Sequence, residues 1–223
     1  FGHTCDWDTI KDIAGDIPIV QDAAQSFGGR YKNMINGTYN DLTCFSFYPA
    51  KNMWCFGDGG AVVGSQSYVD KILMARDHGR TDKYVHEFLG WNERLDSVQA
   101  NVLNHMIKKV DGHNKDRRRI ASIYDKQLHT DTMVHTAEWC ENVYNQYTVR
   151  VKNRRSVIAK LREKGIETGV MWPLGCHAQP AYNNKDLLRN TDTVAGTILS
   201  LPCWPLMTDD EISHVIDQFN KII

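Results

Sequence analysis

An excess of charge of either sign is missing from this 223-residue chain: 26 Lys and Arg stand against 27 Asp and Glu, a formal net charge of −1. A near-neutral chain has no bulk field with which to draw in nucleic acid or an anionic membrane surface. Long hydrophobic runs are missing too. No apolar stretch approaches the roughly 20 residues that a membrane span needs, and there is no signal-peptide pattern. The six cysteines, Cys5, Cys44, Cys55, Cys140, Cys176 and Cys203, are scattered and form no C-x-x-C pair. This spacing argues against a metal site or a disulfide framework and fits reduced thiols in a cytoplasmic protein. Asn36-Gly37-Thr38 matches a glycosylation sequon, which in such a chain reads as a turn. A starting methionine is also lacking. The chain opens at Phe1 and enters a helical pattern almost at once, which reads as the later part of a longer protein.

What is present is ordinary globular material, 42% hydrophobic and 24% charged, enough for a real core. Asp6 suits an N-cap for a short helix with Ile10, Ile13 and Ala14 on one face and Gly15 as its stop. Ile17–Val20, Leu42–Phe47 and Ala61–Gly64 read as short buried strands, the first of them parallel. Helical spacing follows over 67–78, and again from Asp96 through Leu128. The run Arg117–Arg119 reads as a solvated helix face. Alternating helix and strand predict an α/β layer structure up to a boundary near residues 112–120. Beyond it, Val143–Val151 predicts a strand with one wet face, and Arg155–Lys164 an amphipathic helix. Ile166–Trp172 and Ile198–Leu201 predict further strands. A T-x-x-E capping box at Thr208 and Glu211 opens a last helix. The second half is therefore a small α+β unit.

The stretch Asp41–Gly60 holds the chemistry. A buried strand ends at Phe47, Pro49 follows, and Lys51 stands alone in an apolar run before a glycine-rich turn. Such a lysine reaches water along its apolar stem or forms a bond. Desolvation lowers a lysine's proton affinity and makes its amine a usable nucleophile. Asp22 lies just past another strand end, where open α/β sheets bind ligands. A structural Asp22–Lys51 ion pair is one reading. A cofactor with an aldehyde for the lysine and a protonated ring nitrogen for the aspartate, as in pyridoxal phosphate, is another. The glycines at 57–60 read as a turn that needs positive φ.

Six motifs occur in order: Asp22-Ala-Ala-Gln25, Ser46-Phe-Tyr-Pro-Ala-Lys51-Asn, Gly57-Asp-Gly-Gly60, His78-Gly-Arg80, Gly90-Trp-Asn-Glu-Arg-Leu-Asp96 and His177-Ala-Gln-Pro-Ala-Tyr182. Together they closely resemble the pyridoxal-phosphate-dependent sugar-nucleotide aminotransferases of the DegT–StrS family, over essentially the whole chain. The resemblance implies a partial fold-type I aminotransferase. Its mostly parallel sheet would belong to the large cofactor-binding domain, of which residues 1–115 form the C-terminal part, with a small C-terminal α+β domain over 116–223. It implies amino transfer to a keto group on a nucleotide-linked sugar, with an amino-acid donor such as glutamate and a homodimer that shares its active sites.

Residue by residue, the resemblance implies Lys51 as the Schiff-base and proton-shuttle lysine and Asp22 as the carboxylate at the ring nitrogen. Ala24 would lie against the ring, Gln25 near the phenolic oxygen and Ser46 at the phosphate. Asn92 and Arg94 would reach the neighbouring subunit's site, and His177 and Tyr182 would line the substrate side, or simply pack in the small domain. No metal is implied. Two departures stand out. Met53-Trp-Cys-Phe56 is bulkier than is usual between the lysine and the glycine turn, and Cys55 is an oxidation candidate if exposed. The family's N-terminal third, with its phosphate-gripping helix N-terminus, has no counterpart here. A non-catalytic or inactive fragment of the same fold is therefore an alternative. A dehydratase of the same family is another, which Lys51 argues against because that branch carries histidine at this position.

Overall fold

The computed structural model describes residues 1–129, 136–182 and 186–223. Their contacts form two compact units. One comprises Gly2–Lys115 and Thr136–Asn145. It opens on helix α1 (Trp7–Ala14), whose N-cap Asp6 accepts the Thr9 N–H and which Gly15, at φ 56°, terminates. Trp7 is the residue this helix buries; Ile13, expected on the inner face, is 81% exposed.

Strands β1 (Val20–Asp22), β2 (Arg30–Tyr31), β3 (Met34–Ile35), β4 (Leu42–Ser46) and β5 (Gly60–Gly64) follow. A mixed sheet runs β1-β4-β5, with β1 parallel and β5 antiparallel to β4. The strand expected at Ile17–Val20 begins late, because Pro18 has no N–H for a ladder, and Ile17 stays 71% exposed. With β4 its one neighbour among the described residues, β1 is a sheet edge. Helix α2 (Gln66–Ala75) precedes a hairpin, β6 (Arg80–Asp82) and β7 (Val85–His86), in what reads from sequence as a polar loop. Helix α3 (Ser97–Met106) leads to α4 (Val110–Gln127), and β8 (Cys140–Glu141) returns to pair antiparallel with β2.

Phe47, Met53, Cys55, Leu103, Met106 and Val110 make this unit's core cluster, with Phe27 and Phe45 packed on it. Burying an apolar side chain of this size contributes about 1.5–3 kcal/mol. The glycines at 57–60 serve it differently from expectation. None has positive φ. A Cβ on Gly59 would stand 2.9 Å from Cys55 Sγ, and one on Gly60 2.8 Å from the Phe45 carbonyl oxygen. Close packing, not a left-handed turn, excludes a side chain here. Cys55 is 0% exposed, which removes it as an oxidation candidate.

The other unit comprises Phe1, Asp116–His135 and Gln146–Ile223. It takes the greater part of α4 and adds β9 (Tyr147–Arg150), α5 (Arg154–Glu163), α6 (Arg189–Thr197), β10 (Ile198–Leu201) and α7 (Asp209–Ile222). Strands β9 and β10 pair antiparallel. The wet face expected of β9 is absent: Thr148 is buried, its hydroxyl 3.1 Å from that of Ser200. The strand expected at Ile166–Trp172 reduces to one bridge, Gly169 with Ser200. Trp172 takes φ 52°, which breaks an extended run before Pro173. Nor is the arginine run simply solvated. Arg117 donates to the Cys203 carbonyl, while Arg119 reaches Asp116, Asp209 and the Met207 carbonyl at 2.9–3.0 Å. The Thr208–Glu211 capping box forms, and Ile212, Val215, Ile216 and Phe219 are the buried stripe of α7. Among the described residues no helix is long and apolar enough to cross a membrane.

Candidate active site

Strand β4 sets up the site through its alternation. Phe45 and Phe47 pack on the core, so Cys44 and Ser46 face the other side of the sheet. Register puts Asp22 opposite Cys44, and hence Asp22 and Ser46 on one face. After β4 the chain turns at Tyr48–Lys51, closed by the Lys51 N–H on the Tyr48 carbonyl at 2.9 Å. Pro49 holds the second position of this turn, which its fixed φ favours. The Tyr48 N–H donates to Ser46 Oγ at 3.3 Å.

Lys51 is half-buried, and its Nζ has no hydrogen-bond or ion-pair partner among the described residues. Asp22 makes no ion pair with it, so the structural ion pair considered from sequence is not formed. Asp22 is exposed, and its Oδ1 accepts the Ala24 N–H at 2.9 Å, a turn that leaves the other carboxylate oxygen open. Ala24 and Gln25 are half-buried on the loop that follows. Gln25 Oε1 is buried with no partner among the described residues. A buried polar atom left unpaired is costly and usually signals a missing partner.

Asn92 and Arg94 lie on the exposed segment before α3. Asn92 bridges to Asp77 through backbone, and Arg94 Nη1 bonds Asp77 Oδ1 at 2.7 Å. Arg80 holds the other oxygen of Asp77, also at 2.7 Å. Burial pushes the Asp77 carboxyl up, but the two arginines outweigh it and hold the group below its ordinary value. Sequence reading missed Asp77. Its position just before His78-Gly-Arg80 was the available signal. In the other unit, His177 Nε2 is 3.0 Å from Asp192 Oδ1 with the imidazole only 10% exposed, whereas Tyr182 is 68% exposed. That unit also has a cavity of about 510 Å³ lined by His129, Arg150, Lys152, Ser156 and Lys160, which contains none of the expected residues.

The donor set can be tested against pyridoxal phosphate. An aldehyde needs a free amine, a pyridinium nitrogen needs a carboxylate, and the ring and phosphate oxygens need hydrogen-bonding partners. Lys51, Asp22, Gln25 and Ser46 are of these types. The orphaned Gln25 oxygen is a buried acceptor that a donor on such a ligand would pair, and the Lys51 amine is engaged by no protein group among the described residues. The residues fit the group.

Comparison with known proteins follows the same line. Residues 1–220 match the model of the DegT/DnrJ/EryC1/StrS aminotransferase family. A dTDP-3-amino-3,4,6-trideoxy-alpha-D-glucose transaminase from Streptomyces venezuelae is 35% identical over 227 residues, covering 97% of this chain and 60% of that protein. A UDP-2-acetamido-2-deoxy-3-oxo-D-glucuronate aminotransferase from Pseudomonas aeruginosa is 36% identical over 222 residues, covering 96% of this chain and 62% of its own length. The solved structure of S. venezuelae DesV in complex with a ketimine intermediate has a TM-score of 0.95 at 35% identity, over 99% of this chain and 62% of that one. The fold is thus part of the α/β fold of the type I sugar aminotransferases. The chain spans 60–62% of the length of these relatives.

Proposed function

The chain belongs to the DegT/DnrJ/EryC1/StrS aminotransferase family, and from that premise we propose that it works in amino transfer to a nucleotide-linked keto sugar with pyridoxal phosphate. The amine donor is an amino acid, glutamate by resemblance. The observation that carries the reading is Lys51: a half-buried amine without a partner among the described residues, on a turn beyond the sheet face that bears Asp22 and Ser46. When bound, the cofactor acts as the electron sink for the charge left as a proton leaves the substrate carbon.

The chain's own residues do the rest. Lys51 is the residue that would hold the cofactor through its amine and would move a proton at the reacting carbon. Asp22 keeps a proton on the ring nitrogen, which a carboxylate beside a cationic ring favours. Ala24 would lie against the ring, Gln25 would bond the phenolic oxygen and Ser46 would bond the phosphate. The two halves of the reaction share one site. Water is taken up as the donor leaves as a 2-oxo acid, and released as the sugar carbonyl becomes an amine.

Asn92 and Arg94 act across a homodimer at the partner's site, an arrangement that suits their exposure. Arg94 is then shared between Asp77 and an anion, which its fork of donors permits. His177, oriented by Asp192, and the exposed Tyr182 serve the substrate side. A cytoplasmic location accords with the free cysteines. Stepwise spectroscopy tests the proposal. Glutamate added to the cofactor-loaded chain should bleach the visible band, and a nucleotide-linked keto sugar should restore it. A folded, loaded chain whose band no amino acid bleaches would leave the alternative of an inactive fragment standing.

A further inference from the structure

Three buried asparagines surround the Lys51 turn, and the reading above gives them no role. Asn52, Asn114 and Asn145 are all buried. Asn52 directly follows Lys51. Its Nδ2 donates to Asn114 Oδ1 at 2.7 Å and to the Val143 carbonyl at 2.8 Å, while its Oδ1 accepts from Asn145 Nδ2 at 3.0 Å. Asn145 Nδ2 also donates to the Ala50 carbonyl at 3.2 Å. The residues on both sides of Lys51 are therefore held. Asn114 carries the network onward, its Nδ2 donating to the Phe27 carbonyl at 3.0 Å. Phe27 lies on the loop that begins at Asp22 and contains Gln25. At the neighbouring Gly28, φ is +78° and a Cβ would stand 2.7 Å from Asn114 Nδ2. Only glycine allows so close an approach.

The arrangement is directional in a way apolar packing is not. Both donors of Asn52 and one acceptor position are in use, so turning the amide over would set its oxygen against the Val143 carbonyl. A fully satisfied buried polar network rigidifies one geometry, while an apolar filling of the same volume would hold the core without fixing a register. Tyr48, Pro49 and Ala50 are exposed, so the turn has little packing of its own.

We infer that Asn52, Asn114 and Asn145 form a clamp that holds the Lys51 turn in register with the Asp22 loop, and so are positioning residues for covalent capture of the cofactor. The inference rests on the proposed role of Lys51.

The test uses the whole chain with Asn145→Ala, and Asn145→Ser should the alanine variant not fold, against Thr208→Ala as a control that weakens a cap elsewhere. Three quantities are read: amide hydrogen exchange at Lys51 without cofactor, borohydride-trapped capture of pyridoxal phosphate, and the pH midpoint of the bound cofactor's visible band. Removing Asn145 should speed Lys51 exchange and weaken capture by roughly tenfold each, the order expected for one lost hydrogen bond between buried groups, and should move the midpoint. Thr208→Ala should lower the melting temperature and leave all three unchanged. If wild type captures cofactor and Asn145→Ala lowers only the melting temperature, the clamp inference alone is overturned. If folded wild type captures none, the reading of Lys51 falls and this inference with it.

Discussion

The unit that ends the chain buries Ile212, Val215, Ile216 and Phe219 along one side of α7, packs that helix on α5, and seals its start with a capping box. The unit that carries Lys51 also has an apolar core, at Phe47, Met53, Cys55, Leu103, Met106 and Val110, but it adds buried amides. Among the described residues every buried asparagine, Asn36, Asn52, Asn114, Asn142 and Asn145, lies in this unit. Apolar burial is non-directional and gives stability, whereas buried amides with every partner in place fix one geometry. The residues fitted to the cofactor, Lys51, Asp22, Gln25 and Ser46, all lie in the unit with the buried amides. Positioning by buried amides is concentrated in one part of this sequence, while apolar burial stabilises both.

That division can be broken most sharply at Lys51. Lys51→Ala should abolish covalent capture of pyridoxal phosphate and leave the melting temperature near that of wild type, since the amine has no partner among the described residues. The opposite outcome is expected in the other unit. Phe219 is fully buried, and Phe219→Ala should cost about 3–5 kcal/mol in denaturant unfolding while capture per folded molecule stays unchanged. A folded Phe219→Ala chain that no longer captures cofactor would show that the two units are not separable in this way.

A smaller effect sharpens the same contrast. Thr208 accepts the Glu211 N–H, and the Glu211 carboxylate reaches back to the Thr208 N–H. Thr208→Ala should therefore cost about 1 kcal/mol, read as a shift in melting temperature. The smallest concerns Asp77, held below its ordinary 3.8 by Arg80 and Arg94 against the upward push of burial. A depressed folded-state pKa contributes stability above the unfolded value and loses it as pH falls through the folded one. NMR titration should place the Asp77 midpoint below 3.8, and Arg94→Gln should raise it. The change in stability should be slight, because the pair is partly exposed.

Local signals were legible in the sequence. The Asp6 cap, the Gly15 stop, the Thr208–Glu211 box and the alternation that turns Phe45 and Phe47 inward all follow from neighbouring residues. What escaped depends on distant ones. Thr148 reads as a wet position until Ser200 is seen beside it. Gly59 reads as a turn residue until Cys55 and Leu95 close on it. No local signal singles out Asn114, on a helix, or Asn145. Their partners lie 62 and 93 positions away, at Asn52. Ile17 shows the converse limit: an apolar residue indicates what favours burial, not which part of the fold covers it. For the candidate site, the residue types and their order were readable. The orphaned oxygen of Gln25 and the two arginines on Asp77 needed coordinates.

The most direct test of the central claim is the location of a trapped cofactor. The chain is incubated with pyridoxal phosphate, reduced with borohydride, digested and mapped by mass spectrometry. One reduced adduct is expected, on the peptide containing Lys51, and it should be lost in Lys51→Ala. A folded chain that carries no adduct, or carries it spread over its surface lysines, would contradict that claim.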